Sequence, residues 1–122
     1  MDIAIIEKNN VYRESLKVAL NQIHELNVII DTDNCLCFNS YDKNKSVDLI
    51  LLDCKIVSEN NFNFLTKLKE QIEAVKIVIL ADYPQKIIYH SFYEMGADKI
   101  IFKHTTKKNY ENLIKELFIN QT

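Results

Sequence analysis

Short apolar runs punctuate the chain at Ile3 to Ile6, Val28 to Ile30, Val47 to Leu52, Val75 to Ala81 and Ile100 to Phe102. Between most of them, apolar residues recur every three or four positions, the spacing of a helix with one buried stripe. The pattern predicts five βα units. Tyr12, Leu16, Ala19, Leu20 and Ile23 form the stripe of the first helix, and Tyr110, Leu113, Ile114, Leu117 and Phe118 that of the last. The third helix runs from about Asn61 to Ile72 through Phe62, Leu65 and Leu68. The fourth starts at Pro84, a favoured first helical position, and closes at Gly96. The second, between Asp33 and Lys45, is weakly patterned and is expected to be short or irregular.

Strands one, three and four are continuously apolar instead of alternating, as strands covered by helices on both faces are. Right-handed crossovers then give an α/β, doubly wound parallel sheet of five strands in the order 2-1-3-4-5. A chain of 122 residues with 48% apolar and 26% charged residues suits one domain spanning 1–122. A net charge of -2 offers no basic excess for nucleic acid, and direct nucleic-acid binding by this domain is not expected. No apolar run approaches a membrane span and no charged leader precedes the first strand, so a cytoplasmic, soluble protein is expected. Cys35, Cys37 and Cys54 lack the spacing of a zinc site and read as reduced thiols.

Three apolar runs end on charges. Ile6 is followed by Glu7 and Lys8, Leu52 by Asp53, and Phe102 by Lys103. In a parallel sheet these ends share one edge, the edge at which open α/β folds build their sites. Asp53 then has two readings: a strand-end carboxylate paired with Lys8 or Lys103, or a functional one.

At these residues the chain resembles the receiver domain of two-component response regulators, over nearly its whole length. The strand ending in Asp53 looks like the family's phospho-acceptor strand, Gly96-Ala97-Asp98 like its turn before strand five, and Lys103 like its strand-five lysine. The resemblance implies a flavodoxin-like receiver fold, Asp53 as phospho-acceptor, Lys103 contacting the phosphoryl group, an acidic pocket at Glu7 and Lys8, and magnesium on Glu7 and Asp53. It also implies a histidine kinase as partner, a homodimer through the fourth helix, fifth strand and fifth helix, and a place as the amino-terminal part of a longer regulator.

Several positions depart from the family pattern. Lys8 stands where the family has its second acid, and an ammonium cannot ligate a metal. Glu7, Lys8, Asp53 and Lys103 sum to zero charge, against -2 for three carboxylates and one lysine. Unit charges about 4 Å apart interact by roughly 4 kcal/mol at an effective dielectric of 20, so weak or absent magnesium binding is expected. At the family's switch positions, Ala81 replaces a hydroxyl residue and Ile100 an aromatic. His104 and the segment Cys54-Lys55-Ile56-Val57 also differ from the common loops.

The sequence therefore reads as an atypical receiver, not an enzyme beyond self-phosphorylation, with impaired metal binding and phosphorylation and an output set by protein contacts. The alternative is a receiver that takes a phosphoryl group from a histidine kinase on Asp53. A flavin-binding module is disfavoured because Glu7-Lys8-Asn9-Asn10 is no phosphate cradle, and a phosphatase because Asp53-Cys54-Lys55 lacks a second acid. Tyr83, Tyr89, Tyr93 and Tyr110 are candidates for an aromatic interface, with Tyr110 also on the core stripe. His24, His90 and His104 are assigned no role.

Overall fold

The computed structural model describes residues 1–34, 47–59, 63–72, 74–82 and 86–119. Its strands are β1 (Asp2–Ile6), β2 (Asn27–Thr32), β3 (Leu49–Asp53), β4 (Lys76–Ala81) and β5 (Lys99–Phe102). Its helices are α1 (Asn10–Asn21), α2 (Cys54–Glu59), α3 (Asn63–Gln71), α4 (Lys86–Glu94) and α5 (Lys107–Ile119). All five strands are parallel, in the order β2-β1-β3-β4-β5 expected from the sequence. The second helix expected between Asp33 and Lys45, and the start at Pro84, lie outside the described residues.

Each central strand sends successive side chains to opposite faces. Ala4, Ile6, Ile50, Leu52, Ile77 and Ile79 pack with Leu65, Leu68 and Phe92 beneath α3 and α4. Ile3, Ile5, Leu49, Leu51, Val78 and Leu80 pack with Leu16, Leu20, Ile114 and Leu117 of α1 and α5. Both faces are buried, which is why these strands read as unbroken apolar runs. The edge strand β2 alternates in exposure and leaves Ile29 partly in solvent.

One element differs from the sequence reading. The segment following Asp53 is a short helix, α2, that buries Ile56 and Val57. Asp53 Oδ1 accepts the Lys55 amide at 3.1 Å, so the carboxylate that ends β3 also satisfies a free donor of the helix that follows.

Side-chain carboxylates tie the strands together at the end of the sheet where they begin. Asp48 Oδ2 accepts the Asp2 amide at 2.8 Å, joining β3 to β1. Asp98 Oδ2 accepts the Ile77 amide at 2.8 Å and the Lys69 ammonium at 2.7 Å, joining the approach to β5 with β4 and α3. Gly96 has φ of 114°, which admits the turn that aims Asp98 at β4 and which a residue with Cβ rarely adopts.

Candidate functional site

The opposite end of the sheet gathers charge. Glu7 follows β1, Asp53 ends β3, Asp82 follows β4 and Lys103 follows β5, with the Lys103 amide donating to the Ala81 carbonyl at 3.0 Å. Lys103 Nζ lies 3.0 Å from Glu7 Oε1, 3.1 Å from Asp53 Oδ1 and 3.2 Å from Asp82 Oδ1. Glu7 and Asp53 are buried, at 1% and 0% exposure, and Lys103 nearly so at 9%. These residues, with Lys55 and His104, line a cavity of about 330 Å³.

Lys8 corrects the charge sum drawn from the sequence. Its amide donates to Asp53 Oδ2 at 3.3 Å, but its ammonium turns outward and pairs with Glu59 on α2. The pocket's third carboxylate is instead Asp82, which the sequence reading passed over. The signal was present: the run Val75 to Ala81 ends on a carboxylate just as Val47 to Leu52 does. Asp53 thus pairs with Lys103, as one sequence reading held, and meets Lys8 only through its backbone.

Burial opposes ionisation of Asp82, but the hydrogen bond and charge of Lys103, reinforced by Lys55, outweigh it and bring its carboxyl below the usual range. For Lys103, burial likewise disfavours the charge, and the hydrogen bonds it donates to Glu7 and Asp53 more than restore it, so the ammonium stays protonated. Glu7 moves the other way. Burial raises its carboxyl, helped by the charge of Asp53, against the Asn9 amide and Lys103. Its Oε1 accepts from both Asn9 N and Lys103 Nζ, while Oε2 is buried with no hydrogen-bond partner among the described residues.

An orphaned, buried carboxylate oxygen beside a second buried carboxylate is a donor set that fits a hard cation such as Mg²⁺. Cys54 Sγ also approaches Asp82 Oδ2, at 3.7 Å, and one ligand atom from each of Asp53, Cys54 and Asp82 lies within 4.8 Å of the others. Burial raises the Cys54 thiol, so the sulfur remains a protonated neighbour of the oxygen donors. Cys54, which reads from the sequence only as a reduced thiol, is half-buried against the core and faces Asp82.

A pair of tyrosines supports Lys103. The Tyr12 hydroxyl on α1 donates to the Lys103 carbonyl at 3.1 Å and hydrogen-bonds the Tyr110 hydroxyl of α5, and the Tyr12 ring centroid lies 5.8 Å from Lys103 Nζ. Tyr110 is buried, so it belongs to the core stripe and not to an aromatic surface; Tyr93 is exposed, and the side chains of Tyr83 and Tyr89 lie outside the described residues. At the two positions singled out for switching, Ala81 is buried and Ile100 half-buried. Neither carries a hydroxyl.

Comparison with known proteins gives the family and the fold. The model of the family described as "Response regulator receiver domain" matches residues 3–115. The Fimbriae Z protein of Escherichia coli K12 is 25% identical over 101 residues, covering 83% of this chain and 48% of that protein. Its Salmonella typhimurium counterpart is 22% identical over 113 residues, covering 93% and 54%. The chain spans about half the length of these curated relatives. Among solved structures, the signal receiver domain of the putative response regulator NarL from Mycobacterium tuberculosis superposes with a TM-score of 0.84 at 14% identity, covering 98% and 97% of the two chains. A response regulator from Thermotoga maritima gives 0.83 at 19% identity, covering 98% of each chain. At these identities the structures speak to the fold. Among the described residues no helix is long and apolar enough to cross a membrane.

Proposed function

This chain belongs to the response regulator receiver domain family, and we propose that Asp53 is its phospho-acceptor, taking a phosphoryl group from the phosphohistidine of a histidine kinase. The contact of Lys103 Nζ with both Glu7 Oε1 and Asp53 Oδ1 carries this reading, because it puts a fixed ammonium beside the carboxylate where phosphoryl charge arrives. Asp53 Oδ1 already accepts from Lys103 and Lys55, whereas Oδ2 accepts one long bond from the Lys8 amide, so Oδ2 is the freer nucleophile. Its bond to phosphorus forms as the phosphorus–nitrogen bond of the donor breaks. Lys103 pairs with the phosphoryl oxygens. A divalent cation held by Glu7 and Asp53 would offset negative charge on those same oxygens.

Ala81 favours a second reading. With no hydroxyl at the end of β4, the phosphoryl group gains no partner there, which supports a module whose output depends on protein contacts more than on phosphorylation. Exposed Tyr93 on α4 and Phe102 on β5 support the α4, β5 and α5 side as its interface with a second copy. Direct nucleic-acid binding is not part of either reading.

Incubation with acetyl phosphate and Mg²⁺, followed by intact-mass analysis of the parent and Asp53→Asn, tests the first reading. An added phosphoryl mass in the parent alone supports it. No added mass, together with an NMR spectrum unmoved by beryllofluoride and Mg²⁺, favours the second.

A further inference from the structure

We propose that Asp82 is the third carboxylate of the divalent-cation site, supplied by the end of β4 in place of the acid that position 8 does not provide. The inference rests on the cation part of the proposed function and assigns it a residue. Glu7, Asp53 and Asp82 all lie within 3.2 Å of one lysine nitrogen, so a single ammonium faces three carboxylates and the centre stays negative. Lys55 also approaches Asp82, at 3.5 Å, but its side chain is 64% exposed and its charge is screened by solvent. Lys8 also lines the cavity, but its side chain is 46% exposed and paired with Glu59, which offsets its charge.

The second, independent observation is Glu7 Oε2. Glu7 is 1% exposed, lines the same cavity as Asp53 and Asp82, and leaves this oxygen without a partner among the described residues. A buried oxygen of that kind is costly unless something cationic completes it. Asp82 sits at the wall of the cavity with 21% of its side chain exposed, the most accessible of the three carboxylates. An incoming hydrated ion therefore meets Asp82 first. All three acidic ligands offer oxygen, the hard donor that suits Mg²⁺ or Mn²⁺.

Mn²⁺ is the probe. Paramagnetic broadening in an amide NMR spectrum locates it, and calorimetry gives its affinity for the parent, Asp82→Asn and Asp82→Glu. The expected result is broadening centred on Glu7, Asp53 and Asp82, an affinity about 10- to 100-fold weaker in Asp82→Asn, and one within about threefold of the parent in Asp82→Glu. An unaltered diamagnetic spectrum away from the site confirms that the variants fold. Parent-like affinity in Asp82→Asn overturns the inference and leaves the cation reading standing. A parent that shows no broadening around Glu7 and Asp53 overturns both.

Discussion

Lys8 and Asp53 meet only through the backbone: the Lys8 amide donates to Asp53 Oδ2 at 3.3 Å, while the Lys8 ammonium pairs with Glu59. The basic residue at the position of an expected acid thus lines the cavity while its charge is paired with α2 and not with Asp53. Lys8→Ala keeps the amide and removes only an exposed ion pair, whose side chains are 46% and 54% in solvent. Its stability should stay within about 0.5 kcal/mol of the parent by urea denaturation, and its Mn²⁺ affinity within about threefold. A gain of a hundredfold or more in affinity would return Lys8 to the site.

Lys103 has the opposite standing. Lys103→Met leaves Glu7 and Asp53 as buried carboxylates without their shared cation, a loss of about 3–5 kcal/mol in urea denaturation at neutral pH. Added Mg²⁺ should recover part of it, since a divalent ion supplies the missing charge. Equal loss with and without Mg²⁺ would show that the pocket holds no cation of its own.

The fold was legible because its strongest physical demand is simple. Strands sandwiched between helices must be apolar on both faces, and Ile3 to Ile6 or Leu49 to Leu52 satisfy this with no competing pattern. Glu7, Asp53 and Lys103 were legible as the charges that stop such runs. Asp82 obeys the same rule, but at the end of β4 the family resemblance points to Ala81 and not to the residue after it. The direction of Lys8 was beyond the sequence altogether: it depends on Glu59 standing within reach, and Glu59 belongs to a helix that the unpatterned segment after Asp53 did not advertise.

Glu7 sets a pH dependence whose sign follows from its burial. Its carboxyl is raised above the ordinary 4.5, so between that value and its folded one the native protein keeps a proton that the unfolded chain has released. Stability contributed by that proton is present below pH 4.5 and fades as pH rises through the window. At neutral pH the ionised Glu7 is a standing cost, and Lys103 retains Asp53 and Asp82 without it. Glu7→Gln should therefore melt higher than the parent at pH 7.5 in EDTA, with the difference shrinking toward pH 4. A variant that melts lower at pH 7.5 would mean that the Lys103 contact outweighs the burial of the charge.

The tyrosine pair makes a second pH prediction. Burial raises both hydroxyls, Tyr110 further than Tyr12. In a titration at 295 nm, these two of the six tyrosines should stay protonated until the chain unfolds. Because the native state holds those protons more tightly, stability falls as pH climbs above about 10. Tyr12→Phe removes the bond to the Lys103 carbonyl and should cost about 1 kcal/mol. Six tyrosines ionising together in the folded protein would contradict the pairing.

Asp48 and Asp98 give the remote end of the sheet a hold over chemistry it never touches. They lock β1 to β3 and β5 to β4 at the strands' beginnings. A parallel strand that slips by one residue moves its far end by about 3.3 Å and turns that end over. Loss of either clamp would thus scatter Glu7, Asp53, Asp82 and Lys103 by an amount no neighbouring side chain can absorb. Damage that silences this protein without unfolding its core would then map to two places, the mouth of the cavity and the opposite rim, where Asp48 and Asp98 stand.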